Sequence, residues 1–274
     1  MDKRIKLAKT LSKLSREIEI TVNEISLKKN CSGLNGTVVA QISDLHANEW
    51  NIDLIEHCVE VINKIKPDIV TMTGDAICNG EKFIPNIISC FKEINSKYGK
   101  FACLGNHDHS DGHDGLKIQQ AYKKSGFQTL VNSSANIKIG GECLHLAGAD
   151  DLQLGDQNIN KMIENVPEHE TSIFLVHNPL NFKDFAKYNP DLVIAGHTHG
   201  GQLYFPPLNF IYKCILQSNY ISGLYGFNKS SLYVNRGIGT ALIAPKIFNK
   251  KFIINTPRIN SKPEISLFIL DSEL

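Results

Sequence analysis

Five apolar runs in this chain stop at residues able to hold a metal ion. Residues 37–43 lead into Asp44-Leu45-His46, and residues 68–73 into Gly74-Asp75. Residues 101–104 lead into Gly105-Asn106-His107-Asp108, and residues 172–176 into His177-Asn178-Pro179. Leu192–Ala195 leads into Gly196-His197-Thr198-His199-Gly200-Gly201. Short apolar runs bounded by turn residues read as buried strands. Helical patterns alternate with the earlier runs, at about residues 51–66, 83–97 and 116–125; the first is ended by Pro67. Strands alternating with helices predict an α/β sheet with parallel pairs. In such sheets ligands gather at the carboxyl ends of the strands, so the fold brings these five ends together.

Taken singly, each end has an ordinary explanation, a helix cap at Asp44 or a turn at Asp75 and Asn106; five together do not. The glycines around His197 and His199 allow a tight turn. With Thr198 extended, both imidazoles would reach the same small volume. Asp, Asn and His donors suit a hard-to-borderline divalent ion, Mn, Fe or Zn with Mn favoured, and the lack of cysteine argues against a structural zinc site. Asp44, His46, Asp75, Asn106, His177, His197 and His199 are too many for one ion. They suit two ions that share a carboxylate, about 3.5–4 Å apart, the clamp used on phosphoesters.

In this order the motifs of residues 44–199 resemble the signature of the calcineurin-like metallophosphoesterases. Gly196-His197-Thr198-His199-Gly200-Gly201-Gln202 and the late Arg236-Gly237-Ile238-Gly239 are similar to a branch of bacterial phosphodiesterases, a likeness that spans about residues 20–240. The resemblance implies two mixed β-sheets in a sandwich flanked by helices, four layers in all. It implies that Asp44, His46 and His199 hold one metal, that Asn106, His177 and His197 hold the other, and that Asp75 bridges them. It implies a nucleophilic water between the ions, with His107 stabilising the phosphoryl oxygens and protonating the leaving oxygen. His109, Asp111, His113 and Asp114 extend that loop, as solvated residues or substrate contacts. The branch includes enzymes that cleave UDP-2,3-diacylglucosamine in lipid A biosynthesis. That lipid-linked nucleotide sugar is the expected substrate, and a non-lipid phosphodiester handled by a soluble enzyme is the alternative. A non-catalytic metal-binding scaffold is a remote third reading, because no ligand is missing.

The 274 residues can bury a core as one large domain, and no repeat or low-complexity linker divides them. The expected organisation is a basic amphipathic segment, 1–17, before a single domain, 18–274. On a helix Leu7, Leu11, Leu14 and Ile18 share one face and Lys6, Lys9, Lys13 and Arg16 the other. Such a helix lies on a membrane or packs its leucines on the domain. The net charge of +1 gives no field for nucleic acid, and no nucleic-acid partner is expected. Seven cysteines, odd in number and without paired spacing, fit a reducing compartment. No secretory signal or membrane-spanning run is evident, so the expected location is the cytoplasm, peripheral on the inner membrane if residues 1–18 bind there. Two further stretches bear on substrate. Phe205, Phe210, Ile211, Tyr212, Ile215, Leu216, Tyr220, Ile221, Leu224, Tyr225 and Phe227 make an apolar cover able to accept acyl chains or to pack on the sheet. Residues 244–262 form a basic loop with Lys246, Lys250, Lys251, Arg258 and Lys262, for an anionic ligand or for solvent.

Overall fold

The apolar runs form strands, and the strands form two six-stranded sheets. The computed structural model describes residues 18–78, 81–112, 115–202, 218–240, 242–243, 246–247, 250–251, 254–255 and 257–272. In chain order the strands are β1 (Glu19–Ser26), β2 (Val38–Ile42), β3 (Ile69–Thr73), β4 (Lys100–Cys103), β5 (Phe127–Thr129), β6 (Ser133–Ile139), β7 (Glu142–Gly148) and β8 (Ser172–Leu175). They continue with β9 (Leu192–Ala195), β10 (Gly223–Phe227), β11 (Ser230–Val234), β12 (Leu242–Ile243), β13 (Lys246–Ile247), β14 (Lys250–Lys251), β15 (Ile254–Asn255) and β16 (Glu264–Asp271). The α-helices are α1 (Ile52–Ile65), α2 (Ile84–Lys92), α3 (Leu116–Lys124), α4 (Ile159–Ile163) and α5 (Phe182–Phe185).

One sheet has the order β1-β16-β2-β3-β4-β5, the other β10-β11-β9-β8-β7-β6. Strands β2 to β5 are parallel, while β16 is antiparallel to β2. In the second sheet β7, β8, β9 and β11 are parallel, with β6 and β10 antiparallel at the edges. A middle layer joins the sheets face to face: Val39, Ile69, Phe101 and Phe268 of the first meet Leu144, Ile173, Leu192 and Ile194 of the second. The outer face of the first sheet is covered by α1, α2 and α3, through Ile55, Ile62, Phe91 and Tyr122. The outer face of the second is covered by Met162, Phe182 and Phe185 of α4 and α5. The two mixed sheets flanked by helices are the four layers expected. Among the described residues no cysteine forms a disulfide, and no helix is long and apolar enough to cross a membrane.

Local differences have local causes. Helix α2 stops at Lys92, not near residue 97, because Asn63 of α1 donates to Glu93 O (2.8 Å) and accepts from Asn95 N (2.9 Å), drawing the chain out of the helix. Within the apolar cover, 223–227 form β10, whose glycines at 223 and 226 break the alternation that marks a strand. The segment 1–17 lies outside the described residues.

The loop after β11 is fixed by a buried ion pair. Arg236 Nε donates to Glu264 Oε2 (2.7 Å) and Arg236 Nη1 to Glu19 Oε2 (3.1 Å). Thr21 and Ser266 hydroxyls donate to Glu264 Oε1 at 2.7 and 2.9 Å, and Tyr233 donates to the same oxygen. The loop then lies on the β2 loop, Ile238 N donating to Ser43 O (3.0 Å) and Gly239 N to Asp44 O (2.8 Å). A Cβ at Gly239 would stand 1.9 Å from Leu45 O, which is why only glycine fits there. Glu264→Gln would leave a half-buried guanidinium with only the partly exposed Glu19 as counter-charge. Its expected cost is roughly 3 kcal/mol of unfolding free energy, read by urea denaturation.

Candidate metal centre

The loops that follow β2, β3, β4, β8 and β9 converge at one pole of the sandwich, and all seven expected donors meet there. Asp44 Oδ1, His46 Nε2 and His199 Nε2 form one set. The two nitrogens are 3.0 Å apart, and the carboxylate oxygen is 3.5 Å from His199 and 3.9 Å from His46. Asn106 Oδ1, His177 Nε2 and His197 Nδ1 form the other, at 3.1, 3.1 and 3.2 Å from one another. Asp75 Oδ2 lies 3.4 Å from His46 Nε2 and 3.3 Å from His177 Nε2, between the sets. Donors about 2.1 Å from one ion and 90–109° apart are separated by roughly 3.0–3.4 Å. The spacing therefore fits two ions that share Asp75, and the N, O donor chemistry fits a divalent metal. The histidines 197 and 199 do not reach the same set. Thr198 is helical, at φ −85° and ψ −12°, so the turn is not extended there and the two rings diverge.

The charges suit ligation. Burial, against the pull of Asp75, pushes His46 down to about 3. Burial and the neighbouring His177 take His197 to about 4, and burial with the Arg258 guanidinium holds His199 well below the imidazole range. These three rings are neutral and keep a lone pair for a cation. Burial works against the charged forms of His177 and Asp75, but each favours the other: the carboxylate holds His177 well above its ordinary value, and the imidazole holds Asp75 well below its own. His177 Nδ1 faces Thr73 O at 2.8 Å, a carbonyl that fixes the proton there and turns Nε2 to the site.

Several supporting residues have no role in the sequence reading. Asp108 accepts from Asp75 N, Ala76 N and Gly105 N, each at 2.9 Å, and so staples the β3 loop to the β4 loop. Burial and the charge of Asp75 push its own value up to about 7. Gln41 Nε2 donates across the sandwich to Ala195 O and to Thr73 Oγ1, both at 2.9 Å; Thr73 donates to Ser43 Oγ, and Ser43 to Asp44 Oδ2. The signal for these was polar residues inside buried runs. Arg258, read as part of a basic loop, is turned inward: its Nε donates to Gly239 O (2.9 Å), Nη1 to Ser261 O (3.2 Å) and Nη2 to His199 Nδ1 (3.2 Å). His109 pairs with Asp150 at 2.7 Å. His113 and Asp114 lie outside the described residues, as do 203–217 of the apolar cover. Tyr220, Tyr225 and Phe227 of the cover pack on the helix layer, the Tyr220 and Phe227 ring centroids lying 5.7 and 6.5 Å from that of Phe182, while Leu224 is exposed.

Histidines held neutral in the fold take up protons on unfolding below about pH 6.5, so they lower stability as pH falls from there towards their folded values. The raised His177 acts in the opposite sense, adding stability that is fully present below that pH and is lost as pH rises through its raised folded value. Asp108, raised to about 7 in the fold, also opposes the three rings between that value and the ordinary carboxylate range; with three rings against this one carboxyl, the metal-free protein is expected to lose stability from about pH 6.5 towards 4. Urea midpoints across that range should fall, and His197→Asn should flatten the slope.

The calcineurin-like phosphoesterase family model matches residues 37–201, a span that contains every candidate ligand. The chain is 28% identical to the uncharacterized metallophosphoesterase YkuE of Bacillus subtilis, over 93% of this chain and 86% of that one. It is 27% identical to the phosphodiesterase YaeI of Escherichia coli, over 84% and 80%. It is 25% identical to the UDP-2,3-diacylglucosamine pyrophosphatase LpxG of Chlamydia trachomatis, over 81% and 84%. In fold it is similar to the crystal structure of TT1561 of Thermus thermophilus, with a TM-score of 0.50 at 10% identity, over 80% of this chain and 99% of that one. The chain belongs to the calcineurin-like phosphoesterase family and is a metal-dependent hydrolase of phosphoric esters or anhydrides.

Proposed function

We propose that the chain hydrolyses a phosphodiester or phosphoanhydride with two divalent ions. Asp44, His46 and His199 would hold one, Asn106, His177 and His197 the other, and Asp75 both. The observation that carries this reading is the approach of a single Asp75 oxygen to histidines of both sets, at 3.4 and 3.3 Å. Manganese is favoured for these donors, ahead of iron and zinc. When bound, such a pair holds phosphoryl oxygens and brings the pKa of bound water towards neutrality.

His107 supplies the proton. Its backbone N donates to Asp75 Oδ1 (2.8 Å), so the bridging residue also positions this loop. Its half-buried ring stands edge-on to His46 with centroids 4.8 Å apart, and it belongs to neither set. A ring in that place can give its proton to a departing oxygen and take another from solvent. Asp75→Asn is expected to lower metal content and abolish hydrolysis together. His107→Asn should keep the metal and cut turnover by roughly 10²–10⁴-fold, the usual weight of a positioned acid. Elemental analysis beside a diester assay separates the two, and metal loss in His107→Asn would make that residue a ligand.

For substrate, the reading is UDP-2,3-diacylglucosamine, met at the inner membrane face in lipid A biosynthesis. It is supported by the similarity to the Chlamydia trachomatis enzyme of that name. Thr198 Oγ1 also donates to Ile221 O (2.5 Å), which ties the apolar cover to the ligand turn. The similarity to the Escherichia coli phosphodiesterase favours a second reading, a diester without acyl chains. Purified protein with Mn²⁺ and detergent is given UDP-2,3-diacylglucosamine beside an aryl phosphodiester. The lipid substrate should be cleaved far faster; cleavage of the aryl ester alone would move the assignment to the second reading.

A further inference from the structure

A third group of metal donors stands beside the two sets. A ring nitrogen of His46, the Cys78 thiol and a ring nitrogen of His107 lie within 4.8 Å of one another. Backbone pairing brings Cys78 to this place. Ala47 N donates to Ala76 O (3.0 Å), and Ala47 bridges Ile77 in parallel, which zips the β2 loop to the β3 loop just before the cysteine. Cys78 is 4% exposed. His46 is 1% exposed, and its Nε2 belongs to the first set, while its Nδ1 is buried without a hydrogen-bond partner. An unsatisfied buried nitrogen is costly and marks a place for a ligand. Neither set of the candidate centre contains sulfur, whereas thiolate and imidazole together select a softer ion than carboxylate and amide do.

We propose that His46, Cys78 and His107 form a third, inhibitory site for a thiophilic divalent ion such as Zn²⁺. The site rests on the two-ion reading above. When the ion binds, the Cys78 thiol loses its proton to solvent as the metal–sulfur bond forms. His46 Nδ1 loses its proton in the same way while Nε2 stays in the first set, and His107 gives a lone pair; no electrons are transferred. His107 then has no proton for a leaving oxygen, so hydrolysis stops with the first two ions in place.

Cobalt(II) alone is the spectroscopic probe, because a thiolate-to-cobalt charge-transfer band cannot come from either sulfur-free set. Full-length protein is titrated beyond two equivalents of Co²⁺, and the band is expected at the third. Separately, protein loaded with two equivalents of Mn²⁺ is titrated with Zn²⁺, and aryl diester hydrolysis is expected to fall at least about tenfold. In Cys78→Ser the band should vanish and the inhibition with it. No band at the third equivalent, or the same band and inhibition in Cys78→Ser, would overturn the site. If Cys78→Ser does not fold, His107→Asn serves instead: it should bind the third Co²⁺ at least about tenfold more weakly, and unchanged affinity would equally overturn the proposal. Failure of the two-ion reading shows differently, as fewer than two equivalents bound by wild type and variant alike.

Discussion

Asp75 is the residue through which the metal pole is assembled. Its backbone N is held by Asp108, its carbonyl O accepts from His46 N (3.0 Å), and its Oδ1 accepts from His107 N (2.8 Å). Its Oδ2 faces one histidine from each set. Four loops from two sheets are thereby fixed relative to one carboxylate that is 2% exposed. The neighbours are shaped to its size: a Cβ at Gly105 would lie 2.2 Å from Asp75 Oδ1. An ion pair this deep costs desolvation that hydrogen bonds must offset. Here the backbone amides of one loop and the imidazoles of others do so.

The convergence is bought with backbone strain. Asp44, His46, Asp75, His197 and His199 all have positive φ, between 43° and 70°. Side-chain-bearing residues rarely adopt that conformation, and each instance costs of order 1–3 kcal/mol unless its surroundings impose it. What imposes it is the sandwich beneath. The strands end in register, and the chain must reverse at once to return to a helix or to cross to the other sheet. The Gln41–Thr73–Ser43–Asp44 hydrogen-bond chain aligns those ends within the first sheet, and Gln41 ties them to Ala195 O of the second.

Much of this was legible in the residues. Apolar runs ending in Asp, Asn or His gave the strands, their parallel sense and the pole where the donors meet, because burial and pleat geometry act locally. The separation of His197 from His199 came from the family resemblance and was not legible in the local spacing, since it depends on the αR conformation of Thr198. Nor was Arg258, whose partner His199 is 59 residues away and is reached only when the 257–262 segment folds back over the ligand turn. The short α2 hinged on Asn63, a residue of another helix. In each case a long-range contact overrode a local preference, and a lone sequence holds no record of such contacts.

Strand β1 runs parallel to β16, with Glu19 opposite Glu264, and β16 runs antiparallel to β2. The chain therefore enters the fold at Ile18 on the same pole as the metal donors, beside the 236–239 loop that lies on Asp44. The cavity lined by Lys28, Asn189 and Lys229 is at the far pole. If residues before Ile18 were held to a surface, that attachment would set the heading of the metal pole, and a substrate resident in the surface would be found by a search in two dimensions rather than three.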